Sequence, residues 1–244
     1  MSKNNSPSNK STATEILDSI YEIKVKFKPR KFKFDQKQHD LLNLVEEDRN
    51  KVIFVSGAAG SSKTYLAVYS ALLDMQKTPL DNRKDILYVR SVIESASKSM
   101  GALPGTLEDK FSPFLIPLEE KLNEMLYRQD VTRLKNEKAI DAIPVNFLRG
   151  SSWNDKFIIV DEAQNLDKSE LVTLLTRIGE NSKLIICGDP SQSDIGLKSG
   201  FQPMFDLFDT ELSREKGIQT FKFGDSNIYR SEIVKFIVKT LKNG

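Results

Sequence analysis

The stretch Gly57-Ala58-Ala59-Gly60-Ser61-Ser62-Lys63-Thr64 follows the apolar run Val52-Ile53-Phe54-Val55 and precedes a helical pattern that continues to about Gln76. A loop of small residues between a strand and a helix lets backbone N–H groups surround phosphate oxygens at the N-terminus of the helix. We expect Lys63 to contact the β- and γ-phosphates of a nucleotide and the Thr64 hydroxyl to ligate Mg²⁺. The stretch therefore predicts binding of ATP or a close relative, with Mg²⁺ as the accompanying metal ion.

One position departs from the usual phosphate-loop pattern, which has a second glycine directly before the lysine. This chain has Ser62 there. If the backbone at that position needs a positive φ, serine costs roughly 1–2 kcal/mol relative to glycine. Alternatively, the Ser62 hydroxyl lies near the phosphates. Taken alone, the whole stretch could also be a glycine–serine turn without a ligand.

A second apolar run, Phe157-Ile158-Ile159-Val160, ends in the acidic pair Asp161-Glu162. The carboxyl ends of the strands of an open α/β sheet meet at the edge where such sheets bind ligands. We expect Asp161 to hold Mg²⁺ through water, and Glu162 to orient or deprotonate an attacking water molecule. The alternative for this pair is a solvated acidic turn before a helix.

A third apolar run, at residues 184–187, ends in Gly188-Asp189-Pro190-Ser191-Gln192. At the same edge of a sheet, Gln192 could sense the γ-phosphate and couple hydrolysis to movement. Read alone, the segment is a Gly-Asp-Pro turn with no chemistry. The three polar segments follow one another in the order expected of an ATPase, and this agreement is the strongest sequence argument for a hydrolytic site.

Further apolar runs at residues 86–89 and 218–223 alternate with helical patterns along the chain. This alternation predicts an α/β fold with a mostly parallel sheet and helices on both faces. The segment at about 91–144 breaks the rhythm with glycines and prolines, and then continues as a helical run. It predicts a small helical insertion packed on one edge of the sheet.

The chain before residue 35 divides into two segments, followed by a single domain at 35–244. Residues 1–23 are mostly polar and predict a disordered or weakly ordered tail. Residues 24–34 form a basic and aromatic segment, here called the arm.

The arm is a candidate nucleic-acid contact, because basic residues can track phosphates and aromatic rings can stack on bases. Its candidate residues are Lys24, Lys26, Phe27, Arg30 and Lys31, interleaved with Phe32 and Phe34. The alternative is an edge strand whose phenylalanines face the core and whose lysines prevent aggregation.

The composition argues against several classes of site. The chain has one cysteine, Cys187, and one histidine, His39, which argues against intramolecular disulfides, cysteine-rich zinc sites and iron–sulfur clusters. The net charge of +2 gives no strong overall field, so a basic surface would be local. We find no apolar run of membrane-spanning length and no signal-peptide pattern. These features predict a cytoplasmic protein without a membrane partner.

Together, these stretches resemble the PhoH family of P-loop ATPases, which is related to the first motor domain of superfamily 1 helicases. The resemblance covers about residues 34–241 and implies a RecA-like P-loop NTPase fold. Besides the three segments above, it rests on residues 100–110, 147–155, 175–179 and 228–230.

The resemblance implies further site residues. Gln36 matches a glutamine that contacts the adenine edge in helicase relatives, although the sequence alone favours a solvated helix residue. Arg230 matches an arginine that stabilises charge on the transferred phosphate. Arg149 matches a family arginine and is a candidate nucleic-acid contact, with a surface salt bridge as the alternative.

The resemblance also implies partners. Family members are similar to RNA-acting ATPases, some are associated with or fused to ribonucleases, and ring-shaped oligomers occur among them. No second motor domain follows Arg230 in this sequence, so movement along a strand would need neighbouring subunits. The small, lysine-rich chain also resembles phage-encoded members, which would place it in the host cytoplasm.

Three functional interpretations follow. The first is a Mg²⁺-dependent ATPase that acts on or with single-stranded RNA or DNA. The second is a nucleotide-dependent regulator or assembly switch without a nucleic-acid substrate, which Ser62 and the missing second motor domain favour. The third is a phosphotransferase, for which the sequence offers no obvious acceptor site.

Overall fold

The computed structural model describes residues 33–78, 83–91, 107–145 and 152–229, together with residues 233, 236 and 240. Its helices are α1 (Gln36–Glu46), α2 (Lys63–Lys77), α3 (Leu107–Met125), α4 (Arg128–Asn136), α5 (Lys168–Leu175), α6 (Phe201–Phe208) and α7 (Glu211–Glu215). Its strands are β1 (Val52–Ser56), β2 (Asp85–Arg90), β3 (Ile140–Pro144), β4 (Lys156–Asp161), β5 (Lys183–Gly188) and β6 (Ile218–Lys222). None of the helices built from these residues combines the length and apolarity needed to cross a lipid bilayer.

The described residues form a six-stranded sheet in the order β3-β2-β4-β5-β1-β6, and its strand pairings are parallel. The predicted α/β fold with helices on a mostly parallel sheet is therefore confirmed. Strands β4, β5 and β1 lie side by side at the centre. Because they run in the same direction, their carboxyl ends at Asp161, Gly188 and Ser56 share one edge of the sheet.

Alternate residues of β1 face opposite sides of the sheet. Ile53 and Val55 pack with the buried residues of α1 to α4 on one side. Val52 and Phe54 pack with α5 and α6 on the other. A strand that is buried on both faces has a continuous apolar sequence, which is why the sequence pattern locates this strand correctly.

Helix α1 begins at a capping box that Asp35 forms with Gln38. The Gln38 backbone N–H donates to the Asp35 carboxylate at 2.9 Å, and the Asp35 N–H donates to the Gln38 side chain at 3.0 Å. Just before the helix, the ring of Phe34 is half-buried and lies 5.2 Å from that of Tyr69, centroid to centroid. This last residue of the arm packs inward rather than standing free to stack on a base.

Strand β3 is an element that the sequence pattern misses. It pairs in parallel with β2 and forms one border of the sheet. Helix α3 packs against it and buries Leu118, Leu122 and Met125 completely. Residues 107–145 thus extend the sheet by a unit of two helices and a strand, whereas the sequence predicts only helical structure packed on its edge.

Candidate nucleotide-binding site

A polar pocket of about 460 Å³ opens at the carboxyl edge of the sheet, beside the ends of β4 and β5 and the start of α2. It gathers residues from the phosphate loop, the acidic pair and the segment that follows β5. The sequence-predicted site residues in its lining are Ala59, Gly60, Ser62, Lys63, Thr64, Asp161, Glu162 and Gln192. The structure therefore brings the three polar segments together at one place.

The phosphate loop passes so close to its neighbours that only small residues fit. A Cβ on Gly57 would lie 2.8 Å from both the Phe223 Cβ and the Ser61 Oγ. Ala58 and Ser61, which belong to the loop, are buried. The Gly57 N–H donates to the Gly188 carbonyl at 3.2 Å, which ties the start of the loop to the end of β5.

The Lys63 side chain folds back onto the loop. Its Nζ donates to the Gly57 carbonyl at 2.6 Å and to the Ala58 carbonyl at 3.0 Å, and it lies 3.4 Å from the Ser61 hydroxyl. These are charge-assisted hydrogen bonds. They hold the ammonium group beside the pocket, where an anion bound to the loop would meet it.

Ser62 has a left-handed backbone, with φ 65° and ψ 15°, directly before helix α2. A positive φ is the condition under which the sequence predicts strain at this position, at roughly 1–2 kcal/mol relative to glycine. The residue is half-buried and lines the pocket. The strain is thus accompanied by a hydroxyl group at the place where phosphates would bind.

Thr64 and Asp161 meet directly. The Thr64 hydroxyl donates to Asp161 Oδ1 at 2.6 Å, and the Tyr88 hydroxyl donates to Asp161 Oδ2. Tyr88 is fully buried, and burial together with the charge of Asp161 raises the pKa of its hydroxyl far above the usual range. Tyr88 therefore stays a hydrogen-bond donor and holds the Asp161 carboxylate in place through Oδ2. The sequence gives no sign of this role, because Tyr88 stands in an ordinary apolar strand.

The donor set at this point fits Mg²⁺. This ion usually takes one or two carboxylates from the protein and keeps water and phosphate oxygens as its other ligands. The Thr64 hydroxyl and the Asp161 carboxylate supply suitable oxygens. In the described part of the chain, no group of three or more His, Cys, Asp or Glu side chains forms a metal site of its own.

After Ser62, Glu162 is a second non-glycine residue with a left-handed backbone at the pocket, with φ 55° and ψ 38°. Its Oε2 accepts a hydrogen bond from Gln164 Nε2 at 2.6 Å. A non-glycine residue in this conformation persists only where the surrounding structure holds it, and such residues cluster at functional sites.

Asp189 connects the segment after β5 to the phosphate loop. One carboxylate oxygen accepts from the Ala59 N–H at 2.9 Å, and the other accepts from the Ser191 hydroxyl at 2.6 Å. Gln192 is exposed at the pocket, and its backbone N–H donates to the Asp189 carbonyl at 3.0 Å. Asp189 thus fixes both the loop and the short turn that carries Gln192.

Helix α3 contributes Lys121 and Glu124, one turn apart, to the pocket lining. Sequence reasoning misses both residues, because nothing local indicates which face of α3 meets the site.

The thiol of Cys187 also borders the pocket and is buried. Burial and the neighbouring Asp161 raise the pKa of this thiol, while Lys63 and Lys121 act in the opposite direction. Cys187 therefore remains a neutral, small part of the pocket wall.

Tyr229 completes the lining, although in the sequence it stands out only as the neighbour of Arg230. Its backbone N–H donates to the Gly60 carbonyl at 2.9 Å, and its hydroxyl donates to the Asp35 carboxylate. Burial and the hydrogen bond to Asp35 raise the pKa of Tyr229 to about 12. Tyr229 therefore links the phosphate loop to the beginning of α1.

The other predicted residues lie elsewhere. Gln36 is exposed on the first turn of α1, and its side chain donates to Asp40 at 2.8 Å. The described residues that line the pocket do not include it. This placement agrees with the solvated-helix alternative. The remaining predicted residues lie outside the described part of the chain: Lys24, Lys26, Phe27, Arg30, Lys31, Arg149 and Arg230.

The parallel sheet, and the loop that joins β1 to α2, place this chain among the P-loop nucleotide-binding proteins with a RecA-like fold. Within that class the chain belongs to the PhoH family. A family model described as PhoH-like protein matches residues 32–242, in agreement with the resemblance seen in the sequence.

Relatives with that description occur in several bacteria. The PhoH-like protein of Bacillus subtilis (strain 168) is 35% identical over 193 residues, which cover 78% of this chain and 58% of that protein. The PhoH-like protein of Mycobacterium tuberculosis (strain ATCC 25618 / H37Rv) is 35% identical over 164 residues, which cover 66% and 46%. Protein PhoH2 of Bacillus subtilis (strain 168) is 38% identical over 161 residues, which cover 62% and 34%. The chain spans about half the length of the curated relatives it matches.

Solved structures show a more distant likeness. The large terminase from a thermophilic bacteriophage in complex with ATP-gamma-S has a TM-score of 0.46 at 15% identity, covering 84% of this chain and 49% of that chain. The Pif1 helicase from Candida albicans has a TM-score of 0.41 at 19% identity, covering 86% and 43%.

Proposed function

We propose that this PhoH-family protein is a Mg²⁺-dependent ATPase that acts on or with single-stranded RNA or DNA. The observation that supports hydrolysis most directly is the hydrogen bond between Thr64 and Asp161 at 2.6 Å. It joins the loop that would hold the nucleotide to the acidic pair that would hold the metal ion and the water. Nucleotide binding alone would need the loop, but not Asp161 and Glu162 beside it.

The loop and the N-terminus of α2 would hold the β- and γ-phosphates through backbone N–H groups. Lys63 would exchange its hydrogen bonds to the carbonyls of Gly57 and Ala58 for bonds to phosphate oxygens. Lys121 would bring a second positive charge from α3. Two ammonium groups would then face the charge that develops on the phosphate oxygens during transfer.

The Thr64 hydroxyl, and Asp161 through water, would hold Mg²⁺, which polarises phosphate oxygens when it is bound. Tyr88 would keep the Asp161 carboxylate in place through its hydrogen bond to Oδ2. Because Thr64 bonds the other carboxylate oxygen, the position of Asp161 is defined from two sides.

Glu162 would orient the attacking water or accept its proton. Gln192 would contact the γ-phosphate from the rim of the pocket. Arg230 would stabilise charge on the transferred phosphate, a role that the family resemblance supports. Tyr229, which precedes Arg230 in the chain, belongs to the pocket lining.

The nucleic-acid part of the proposal is supported by the composition of the arm and by Arg149. We also propose a homo-oligomer, with a ring as the simplest closed form, and a ribonuclease as a candidate partner, because the family resemblance implies both.

The test is steady-state ATP hydrolysis with Mg²⁺ and with EDTA, in the absence and presence of single-stranded RNA and DNA oligonucleotides. Lys63→Ala is the matched inactive variant, expected to abolish hydrolysis and to weaken nucleotide binding. Hydrolysis that requires both Mg²⁺ and Lys63 supports the ATPase, and stimulation by an oligonucleotide supports the nucleic-acid part.

Two results would count against the proposal. Absence of hydrolysis by the wild-type protein under every condition would contradict the proposed ATPase activity. Hydrolysis without stimulation, together with no retention of oligonucleotide on filters at low salt, would favour the nucleotide-dependent switch instead.

A further inference from the structure

Gln164 joins the acidic pair to the phosphate loop through a continuous series of hydrogen bonds. Its Nε2 donates to Glu162 Oε2 at 2.6 Å, and its Oε1 accepts from the Asp189 backbone N–H at 3.0 Å. The Asp189 carboxylate in turn accepts from the Ala59 N–H at 2.9 Å. Glu162 is thus connected to the backbone of the loop through two intermediate residues.

Burial and bonding leave the Gln164 side chain one orientation. It is 1% exposed, and a buried amide is costly unless both of its ends are bonded. Its NH₂ group faces a carboxylate and its carbonyl faces an N–H, so a flipped amide would place acceptor against acceptor and donor against donor. The Ser193 hydroxyl also donates to the Gln164 backbone carbonyl at 2.9 Å. Gln164 is therefore fixed at both backbone and side chain.

Glu162, in contrast, needs an outside support. Its backbone is left-handed, and its side chain is half-buried at the pocket. In-line attack of a water molecule on a phosphate requires the water and the phosphate to be aligned, and a displacement of about 1 Å can cost roughly 100-fold in rate. A group that fixes Glu162 relative to the loop would provide this alignment.

We propose that Gln164 is a positioning residue for hydrolysis, which holds the Glu162 carboxylate at a set distance from the phosphate loop. This inference rests on the proposed function, because it assigns Glu162 to the attacking water. Gln164 borders the pocket, but both polar atoms of its side chain are bonded to Glu162 and Asp189. It therefore acts through Glu162 rather than on the nucleotide.

The first test compares kcat with nucleotide affinity in Gln164→Met, which keeps the length of the side chain and removes both hydrogen bonds. We expect kcat to fall roughly 10–100-fold. The Kd of a fluorescent ATP analogue should change less than about threefold, because an interaction made only in the transition state affects kcat and not binding. Gln164→Glu, which keeps the acceptor for Asp189 but presents a carboxylate to Glu162, should show the same split and serves where Gln164→Met does not fold.

Asn165→Leu is the matched control. Asn165 lies in the same turn, is also buried, and exchanges hydrogen bonds of 3.1 and 2.8 Å with Asp194. Asn165→Leu loses as many hydrogen bonds as Gln164→Met does, yet Asn165 is not among the described residues that line the pocket. We expect its kcat to stay at the wild-type value. An equal loss of kcat in both variants would indicate a structural role for the turn and would overturn the proposal.

A double-mutant comparison tests whether Gln164 acts through Glu162. In the Glu162→Gln background, Gln164→Met should leave the single-turnover rate unchanged, because the group to be positioned is gone. The same fold-loss in both backgrounds would overturn the proposal, as would a Gln164→Met protein with wild-type kcat. Wild-type hydrolysis with no effect of Gln164 refutes only this inference, whereas absence of wild-type hydrolysis refutes the function on which it rests.

Discussion

The Thr64 hydroxyl donates to Asp161 Oδ1 at 2.6 Å, although the two residues are 97 positions apart in the chain. Thr64 is the second residue of α2, the helix after β1, and Asp161 is the last residue of β4, with β5 lying between β1 and β4. The contact is possible because parallel strands end at a common edge, so a residue just beyond one strand can reach the end of the next strand but one. This contact places two candidate oxygen ligands of a metal ion, the Thr64 hydroxyl and the Asp161 carboxylate, beside the loop that would bind phosphates.

Asp161→Asn should weaken the use of Mg²⁺, because it removes the negative charge while keeping the shape of the side chain. We expect the Mg²⁺ concentration for half-maximal hydrolysis to rise roughly 10–100-fold, the usual effect of losing an outer partner of a bound metal. Titration of the ATPase rate with Mg²⁺ measures this shift. Asp194→Asn, which changes a carboxylate bonded to Asn165, should leave the titration unchanged. An unaltered curve for Asp161→Asn would contradict the metal assignment.

Glu162→Gln should reduce hydrolysis to a small residual rate while ATP remains bound. The amide keeps the size of the side chain but cannot accept a proton, and loss of a general base typically costs about 10²–10⁴-fold in rate. Parallel measurements of turnover and of nucleotide affinity check this. Glu124→Gln, which removes another carboxylate from the pocket lining, is the control and should retain most of the rate. Undiminished turnover in Glu162→Gln would show that another group activates the water.

Lys121→Ala should weaken nucleotide binding, because it removes one of the two ammonium groups among the described residues of the pocket lining. A hydrogen bond to a charged group contributes about 1.5–3 kcal/mol. Its loss therefore corresponds to an increase of roughly tenfold or more in Kd. Lys121→Arg should recover most of the affinity. Lys135→Ala on α4, where the lysine pairs with Glu119, is the control. Equal affinities for wild type and Lys121→Ala would mean that this charge does not contact the nucleotide.

Ser62→Gly should raise the free energy of unfolding by about 0.5–1 kcal/mol, because relief of a left-handed serine outweighs the extra freedom of glycine in the unfolded chain. Denaturant unfolding measures this gain. Lys138→Gly is the matched control, since Lys138 also has a positive φ of 53° and lies outside the pocket lining in the described part of the chain.

The effect of Ser62→Gly on turnover separates two roles for the hydroxyl. We expect the rate to be retained or increased, because the glycine relaxes the loop. A slower enzyme, with no such change in Lys138→Gly, would mean instead that the Ser62 hydroxyl takes part in binding or hydrolysis.

The central sheet and the meeting of the three polar segments could be predicted because each depends on local sequence. Strands such as β1 and β4 are continuous apolar runs, and the parallel arrangement alone places Thr64, Asp161 and Gln192 at one edge. Strand β3 could not be found in this way. Its sequence, Ile-Asp-Ala-Ile-Pro, is short, carries a charge and ends in Pro144, which normally signals a break.

Residues that contact the site only through long-range packing could not be predicted from the sequence either. Tyr88 looks like any core residue of an apolar strand, and only the position of β2 beside β4 directs it to Asp161. Lys121 depends on how α3 docks. The role of Gln164 depends on the left-handed backbone of Glu162, a conformation that the sequence pattern does not predict.

Lys183 offers a prediction about stability and pH, away from the pocket. Its side chain is 2% exposed, and Nζ donates to the carbonyls of Val45 and Glu47 at the end of α1. Burial lowers the pKa of this lysine to about 8, against the opposing influence of Asp74 and Asp48. In the unfolded chain the pKa of a lysine is about 10.4.

Between pH 8 and about 10.4, the unfolded chain therefore binds more protons at Lys183 than the folded protein does, and this group makes the free energy of unfolding rise with pH. Lys183→Met removes this contribution, while all other titrating groups are shared with the wild type. We expect the advantage of the wild type over Lys183→Met, measured by urea unfolding, to be larger at pH 9.5 than at about pH 7.5. A difference that stays constant, or that shrinks as the pH rises, would mean that the buried ammonium is at least as stable in the folded protein as in water, because its bonds to Val45 and Glu47 replace its hydration completely.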